Sequence, residues 1–324
     1  MVATRTWRPS HSVDGPFRAR LDDISDLNQV FSDAFTERYR RDGMVGVRVP
    51  FLNASIWRYA IEDAAEGAML WRDDRGRIVA FNMVHRSGAE GWMGPLAVRT
   101  EHQGVGTGKE IVLRGVDWLK SQGATVIGLE TMPRTMDNIG FYSRLGFSPG
   151  RLTITTTLDA ALSETPARLL GRMSGRTRDD ALAECRALVQ TLLPGYDYTR
   201  EISLTHDLAL GDTVLLYERD AIVGFALAHT APLVEGRARE ELRVLKLVLA
   251  DESRFAELVH AVADFARRSG TRRIALRLQG EFLGAYHRIV ALGGHVRWTD
   301  LRMSMIDYEE RPPAQGLVLS NWEI

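Results

Sequence analysis

The sequence is poor in the features that mark several large classes of protein. It has one cysteine, Cys185, which excludes an internal disulfide framework and any multi-cysteine zinc site. Cys185 lies in a helical pattern, residues 179–193, and reads as a buried small hydrophobe rather than a nucleophile. No apolar run approaches the roughly 20 residues of a membrane-spanning helix. An excess charge is missing too. The 41 Lys and Arg against 42 Asp and Glu give a formal net charge of −1, so nothing in the balance argues for nucleic acid or an anionic membrane as partner. The N-terminus, M-V-A-T-R-T-W-R-P-S-H-S, lacks the apolar core of a signal peptide and reads as a frayed arm. The expected location is the cytoplasm. No segment is of low complexity. What is present is an ordinary globular composition, 45% hydrophobic and 26% charged over 324 residues. At roughly 100–200 residues per domain, that suffices for two domains, each with a core.

The most informative stretch is residues 98–109, V-R-T-E-H-Q-G-V-G-T-G-K. An apolar run, 92–98, leads in, and a helical pattern, 110–120, leads out. Strand, glycine-rich loop and helix start in that order make an anion site: backbone N–H groups at a helix N-terminus face a diphosphate and the helix dipole favours its charge. Gly104, Gly106 and Gly108 remove side chains that would block the approach. A tight turn without a ligand gives the same pattern, so the second motif matters. After an apolar stretch, 124–132, residues 137–147 read D-N-I-G-F-Y-S-R-L-G-F.

Strand, Q-x-x-G-x-G loop, helix, strand, then a helix carrying F-Y-x-x-L-G-F resembles the GCN5-related N-acetyltransferase (GNAT) superfamily, over about residues 15–158. The rest of the first half fits. A strand at 17–21 precedes a helix capped by Asp22 or Asp23, with Ile24, Leu27, Val30, Phe31 and Phe35 at helical spacing. A second helix spans 53–65. Strands 68–72 and 78–85 form a hairpin across D-D-R-G, and 91–98 continues the meander.

The second half repeats this plan. Strands 213–218 and 222–229 form a hairpin, and 242–249 follows. Asp251 caps a helix, 252–269, with Phe255, Leu258, Val259, Val262 and Phe265 on one face. Strand 271–278, helix 281–292 and strand 298–306 close the pattern. At the loop, however, Q-G-V-G-T-G is replaced by A-D-E-S-R-F, where Asp251 and Glu252 would repel a diphosphate. The expected fold is therefore α/β (α+β), with two tandem GNAT-like domains, 1–158 and 159–324. Each has a mixed, mostly antiparallel sheet flanked by helices, and the second is a degenerate copy without a pyrophosphate loop. The linker is expected near 158–165, the first strand of the second domain at 167–173, and a last packed strand within the tail, 312–324.

The resemblance implies an N-acetyltransferase that moves an acetyl group from acetyl-CoA to a small-molecule amine by direct attack, with no metal. Gln103, Gly104, Val105, Gly106, Thr107, Gly108 and Lys109 would hold the pyrophosphate; Lys109 reads equally as a solvated lysine. Leu96, Ala97 and Val98 would contact pantetheine through backbone atoms and offer an N–H to the oxyanion. Tyr142 stands where many members carry the acid that protonates the thiolate; packing of its ring is the alternative. Removing the proton of an amine of pKa about 10 at pH 7 costs roughly 4 kcal/mol, so a base is expected. Glu130 holds a position where members sometimes carry it, and a solvated strand glutamate is the alternative. His85, Glu101 and His102 are weaker candidates. Thr135 stands where relatives carry a pantetheine-binding Asn seven residues before the Tyr, and Asn138 lies one turn on; either would serve. Acceptor choice would come from the first two helices and their loop, with Arg38, Arg40, Arg41, Arg48, Tyr39, Trp57 and Tyr59. A reading of another class is a non-catalytic acetyl-CoA-binding module; a protein-lysine acetyltransferase differs in acceptor only.

Overall fold

The computed structural model describes residues 12–162 and 165–322. The arm expected at the N-terminus lies outside the described residues except for Ser12, as do residues 163–164 of the expected linker and 323–324 of the tail. Among the described residues no helix is long and apolar enough to cross a membrane.

The first half runs β1 (Val13–Arg18), α1 (Ile24–Arg41), α2 (Ala54–Ala64), β2 (Ala68–Asp73), β3 (Ile78–Ser87), β4 (Glu90–Val98), α3 (Thr107–Ser121), β5 (Val126–Thr131), α4 (Met136–Ser143) and β6 (Phe147–Asp159). Local chemistry accounts for the boundaries. Helix α1 buries Leu27, Val30 and Ala34 at helical spacing. Helix α2 starts where the Asn53 side chain accepts from Ser55 N at 3.0 Å, a cap that satisfies one orphan donor. In the β2–β3 turn the Asp73 carboxylate accepts from Arg75 N and Arg77 N at 3.0 and 2.9 Å, so the aspartate closes the turn it sits in.

The second half runs β7 (Arg168–Leu169), α5 (Gly175–Leu192), α6 (Thr199–Asp207), β8 (Gly211–Glu218), β9 (Ala221–His229), β10 (Glu241–Leu249), α7 (Phe255–Arg268), β11 (Arg273–Gln279), α8 (Leu283–Ala291), β12 (His295–Met305) and β13 (Leu317–Ser320). The strand expected at 167–173 shrinks to two residues, because a tight 3-10 turn at Leu170–Arg172 follows at once. Cys185 is fully buried on α5, and burial pushes its thiol up to about 12.

The two halves share one sheet, in the order β1-β2-β3-β4-β5-β12-β6-β11-β10-β9-β8-β7, with β13 paired to β10 off that path. The last strand of each repeat has crossed over. Strand β12 pairs with β5 of the first half (Arg302↔Glu130, Met303↔Leu129). Strand β6 pairs with β11 of the second (Arg273↔Asp159 to Gln279↔Thr153). The sequence pattern placed 298–306 as the closing strand of its own half; the structure puts it in the other. The cores follow. Met303 and Met305 pack under α3 with Leu129, Tyr142 and Phe147, while Leu158 and Ala160 pack with α7. Fully burying Met303 or Leu158 contributes roughly 1.5–3 kcal/mol each, so each half is stabilised by side chains that the other encodes. The expected division at residue 158 separates the sequence repeats but not the sheet.

Candidate acyl-transfer site

Strands β4 and β5 run parallel and pair from Glu90↔Val126 to Met93↔Leu129, then part. On its other side β4 carries one extra residue between Met93↔Val84 and Leu96↔Asn82, a bulge at Gly94-Pro95 that re-aims the strand. Past the bulge, Leu96, Ala97 and Val98 keep β3 on one side and face a cleft on the other. The cleft holds about 420 Å³ and is closed by α1, through Phe35, Arg38 and Arg41, and by α4, through Asn138, Phe141 and Tyr142.

The glycine-rich loop forms the cleft's outer end. Gln103 ties it down: Nε2 donates to Val98 O at 2.8 Å, and Oε1 accepts from Arg41 at 3.2 Å. Gly104 and Gly106 have φ of +78° and +105°, a backbone region that L side chains rarely adopt. A Cβ at either would meet nothing within 4 Å, and one at Gly108 would touch only Phe141 at 3.6 Å. The loop's backbone is thus open to approach rather than packed against other atoms. Gly106 is the N-cap of α3, and the first-turn N–H groups of a helix have no intrahelical acceptors. Thr107 is buried, Val105 is exposed, and Lys109 is exposed at the rim, outside the residues that line the cleft.

Tyr142 is 6% exposed, lines the cleft, and its hydroxyl has no protein partner among the described residues. Burial raises its pKa well beyond the usual phenol range. Asn138 lines the same cleft and its Nδ2 lies 3.5 Å from Thr131 Oγ1. Thr135 does not: it is fully buried, and its hydroxyl donates to Asp42 Oδ2 at 2.6 Å.

Glu130 is not the free carboxylate that a base requires. It accepts from Thr153 Oγ1 at 2.5 Å, is paired with Arg277, and lies 3.7 Å from Arg302 Nε. Burial alone would raise its pKa, but Arg277 and Arg302 outweigh it and hold the carboxyl below its usual range. Both arginines come from the second half. The basic, aromatic mouth expected on α1 and α2 is also largely neutralised. Arg38 pairs with Asp42, Arg40 and Arg41 with Glu37, and Arg48 with Asp33. Trp57 and Tyr59 are core residues, 0% and 3% exposed. Of the remaining candidates, His85 is buried 2.7 Å from Asp63, Glu101 is exposed, and His102 is buried.

Behind the main cleft a second compartment of about 200 Å³ is lined by Tyr39, Glu130, Thr131, Tyr142, Trp298 and Asp300, among others. Trp298 and Asp300 lie on β12. The signal for them was present in W-T-D-L-R, 298–302, where Trp298, Asp300 and Arg302 alternate onto one face. It could not be read without knowing which sheet the strand joins.

The corresponding place in the second half is filled. Strands β10 and β11 pair from Glu241↔Arg273 to Val244↔Leu276 and part after a one-residue bulge at Leu245. Residues Lys246 to Leu249 then pair with β13. At the loop, Asp251 accepts from Ser253 N at 2.8 Å, and Glu252 pairs with Arg288 at 3.1 Å.

Comparison with known proteins agrees with this geometry. Residues 26–147 match the sequence profile of the acetyltransferase (GNAT) family. The uncharacterized N-acetyltransferase YobR of Bacillus subtilis is 28% identical over 24% of this chain, and N-alpha-acetyltransferase 30 of Schizosaccharomyces pombe 31% identical over 28% of it. The matched stretches span 31% and 64% of those proteins, under two thirds of either. A putative acetyltransferase from Pyrococcus horikoshii superposes over 96% of this chain and 95% of its own, with a TM-score of 0.63 at 17% identity. A tandem GNAT protein from the clavulanic acid biosynthesis pathway superposes over 90% and 98%, with a TM-score of 0.58 at 11% identity. A profile match that spans both sequence motifs and a fold likeness that runs the length of the chain lead to one conclusion: residues 26–147 carry a GNAT-family acetyltransferase domain, within a chain whose whole fold is similar to GNAT proteins.

Proposed function

We propose that the chain is an acetyl-CoA-dependent N-acetyltransferase acting on a small-molecule amine by direct attack. Its single cofactor site lies in the first domain, 1–158, and the second, 159–324, is a degenerate copy. The observation that carries this reading is the convergence, around one cleft, of the Gln103–Gly108 loop, the unpaired edge of Leu96, Ala97 and Val98, and Tyr142.

The residues fit the cofactor. Gln103, Gly104, Val105, Gly106, Thr107 and Gly108 would hold the diphosphate, with Lys109 at the rim adding charge. The backbone of Leu96 to Val98 would pair with pantetheine, and the amide of Asn138 would serve it, since the hydroxyl of Thr135 is committed to Asp42. Acetyl-CoA supplies the activated acetyl group as a thioester. Tyr142 is the general acid: burial keeps its phenol protonated, ready for the departing thiolate. Its phenolate is strongly disfavoured by the same burial, so the proton is lent and must be recovered.

Thiol release from acetyl-CoA across a panel of amines tests the reading, with acetyl-CoA binding measured separately by calorimetry. The likeness to an N-alpha-acetyltransferase adds a peptide with a free N-terminus to the panel. Turnover is expected with at least one small amine. Tight binding without thiol release from any acceptor would replace the enzyme with an acetyl-CoA-binding module.

A further inference from the structure

The compartment behind the cleft is built jointly. Tyr39 comes from α1, Tyr142 from α4, and Trp298 and Asp300 from β12. The Tyr39 and Trp298 rings stand 6.4 Å apart at 47°, an aromatic corner of the kind that attracts a cation. Asp300 lies beside it. Its Oδ1 accepts from Trp298 Nε1 at 3.1 Å, and its Oδ2 accepts from Arg277 at 3.0 Å. A carboxylate offers about four lone-pair sites, so Asp300 keeps acceptor capacity toward the compartment. An outer groove of about 350 Å³ shares Met132 and Trp298 with the compartment as lining residues.

Two carboxylates face this space, and they differ. Glu130 is held by Thr153, Arg277 and Arg302. Asp300 has one cation, Arg277, and shares it with Glu130. The other charged group lining the compartment, Arg38 of α1, is paired with Asp42. Taking the acetyltransferase reading as its basis, we propose that Asp300, delivered by a strand of the second half, binds the acceptor's primary ammonium against the Tyr39–Trp298 corner and takes its proton. The favoured acceptors are then primary amines on a slender or aromatic stem that leaves through the outer groove.

The step balances. The ammonium gives one proton to Asp300, and the freed lone pair attacks the thioester carbonyl carbon. The C–N bond forms and the C–S bond breaks. The thiolate takes the Tyr142 proton, Tyr142 recovers one from the acylated nitrogen, and one proton leaves through Asp300 to solvent. The site's electrostatics agree: burial pushes the Asp300 carboxyl up, Arg277 pulls it back, and Glu130 adds to the rise. That moves the base toward working pH, where it is most effective.

The test uses the full chain, acetyl-CoA and 2-phenylethylamine, with 2-phenylethanol as neutral control. Wild type should bind and acetylate the amine and ignore the alcohol. Asp300→Asn should lower kcat/KM by about 10²–10⁴-fold, abolish the acid limb of its pH profile, and leave acetyl-CoA affinity unchanged. Asp300→Glu should restore part of both, and it covers the case in which the Asn variant does not fold. An Asn variant within about threefold of wild type, with the same pH profile, overturns Asp300 as the base while the acetyltransferase reading stands. If wild type transfers acetyl to no amine of the panel, that reading falls and this inference with it.

Discussion

The two halves make the same bulged, splayed strand pair and use it differently. In the first half, β4 leaves β5 after Met93, and the next residues face an open cleft. In the second half, β10 leaves β11 after Val244, and the chain's own tail zips onto Lys246–Leu249 as β13. The comparison teaches that a splayed strand pair does not by itself leave an open edge. Backbone N–H and C=O groups must be satisfied, and whatever supplies the ladder, ligand or tail, closes the gap. The loops follow suit: open glycines in one half, capping and ion-paired acidic residues in the other.

The largest expected effect comes from separating the halves. Residues 1–158 expressed alone should be insoluble or inactive, because β5 would lose β12, β6 would lose both partners, and the core would lose Met303 and Met305. Exposed strand edges and apolar surface drive aggregation. A soluble fragment with full activity in the thiol-release assay would break the idea that the halves are one folding unit.

Next is the cofactor stoichiometry. Calorimetry should count one acetyl-CoA per chain, and Gly106→Glu should abolish it. The substitution would set a carboxylate against the proposed diphosphate position, at a backbone φ of +105° that L side chains rarely adopt. Two equivalent sites, or unchanged affinity in the Glu variant, would show that the tail strand does not close the second slot or that the loop is not the anion site.

Tyr142→Phe should leave acetyl-CoA affinity near wild type and lower kcat by about 10²–10⁴-fold, since in the proposed mechanism its hydroxyl acts only as the thiolate departs. An unchanged kcat would make Tyr142 a packing residue like Phe147 beside it.

The smallest effect probes the seam between the halves. Glu201 of α6 is 1% exposed, accepts from Ser87 of β3, and lies 4.0 Å from Lys246. Burial, then Asp63, raises its pKa above the ordinary 4.5. A carboxyl whose folded-state pKa is raised stabilises fully below its unfolded value, and that stability is lost as pH rises through the folded one. The slope is at most about 1.4 kcal/mol per pH unit. Glu201→Gln should therefore gain stability relative to wild type as pH rises from 5 to 8, read as urea midpoints. An opposite trend would mean that Glu201 is ionised in the fold and serves Lys246 as its counter-ion.

Much of this was determined by the sequence alone. Helical and strand periodicities located α1, α2, the β2–β3 hairpin, β8, β9 and α7 to within a few residues, because one buried face per element imposes its own period. The Gly104–Gly108 loop and Tyr142 stood out by motif spacing, and Gly104, Gly108, Asn138 and Tyr142 line one cleft; the choice between Thr135 and Asn138 waited for the fold. What the sequence left undecided was decided by tertiary pairing. A backbone ladder is the same whichever strand supplies it, so nothing local in W-T-D-L-R told β12 to join β5 rather than the edge of its own half. The apolar pattern of L-V-L-S showed that the tail would pack as a strand but not that it would fill the second slot. The partners of Glu130, Arg277 and Arg302 lie 147 and 172 positions along the chain, and Thr135 found Asp42 93 residues back. A side chain's charge state depends on neighbours that only the folded chain brings within reach, so the sequence motif could point to Tyr142 while the pairing of the carboxylate near it could not be read.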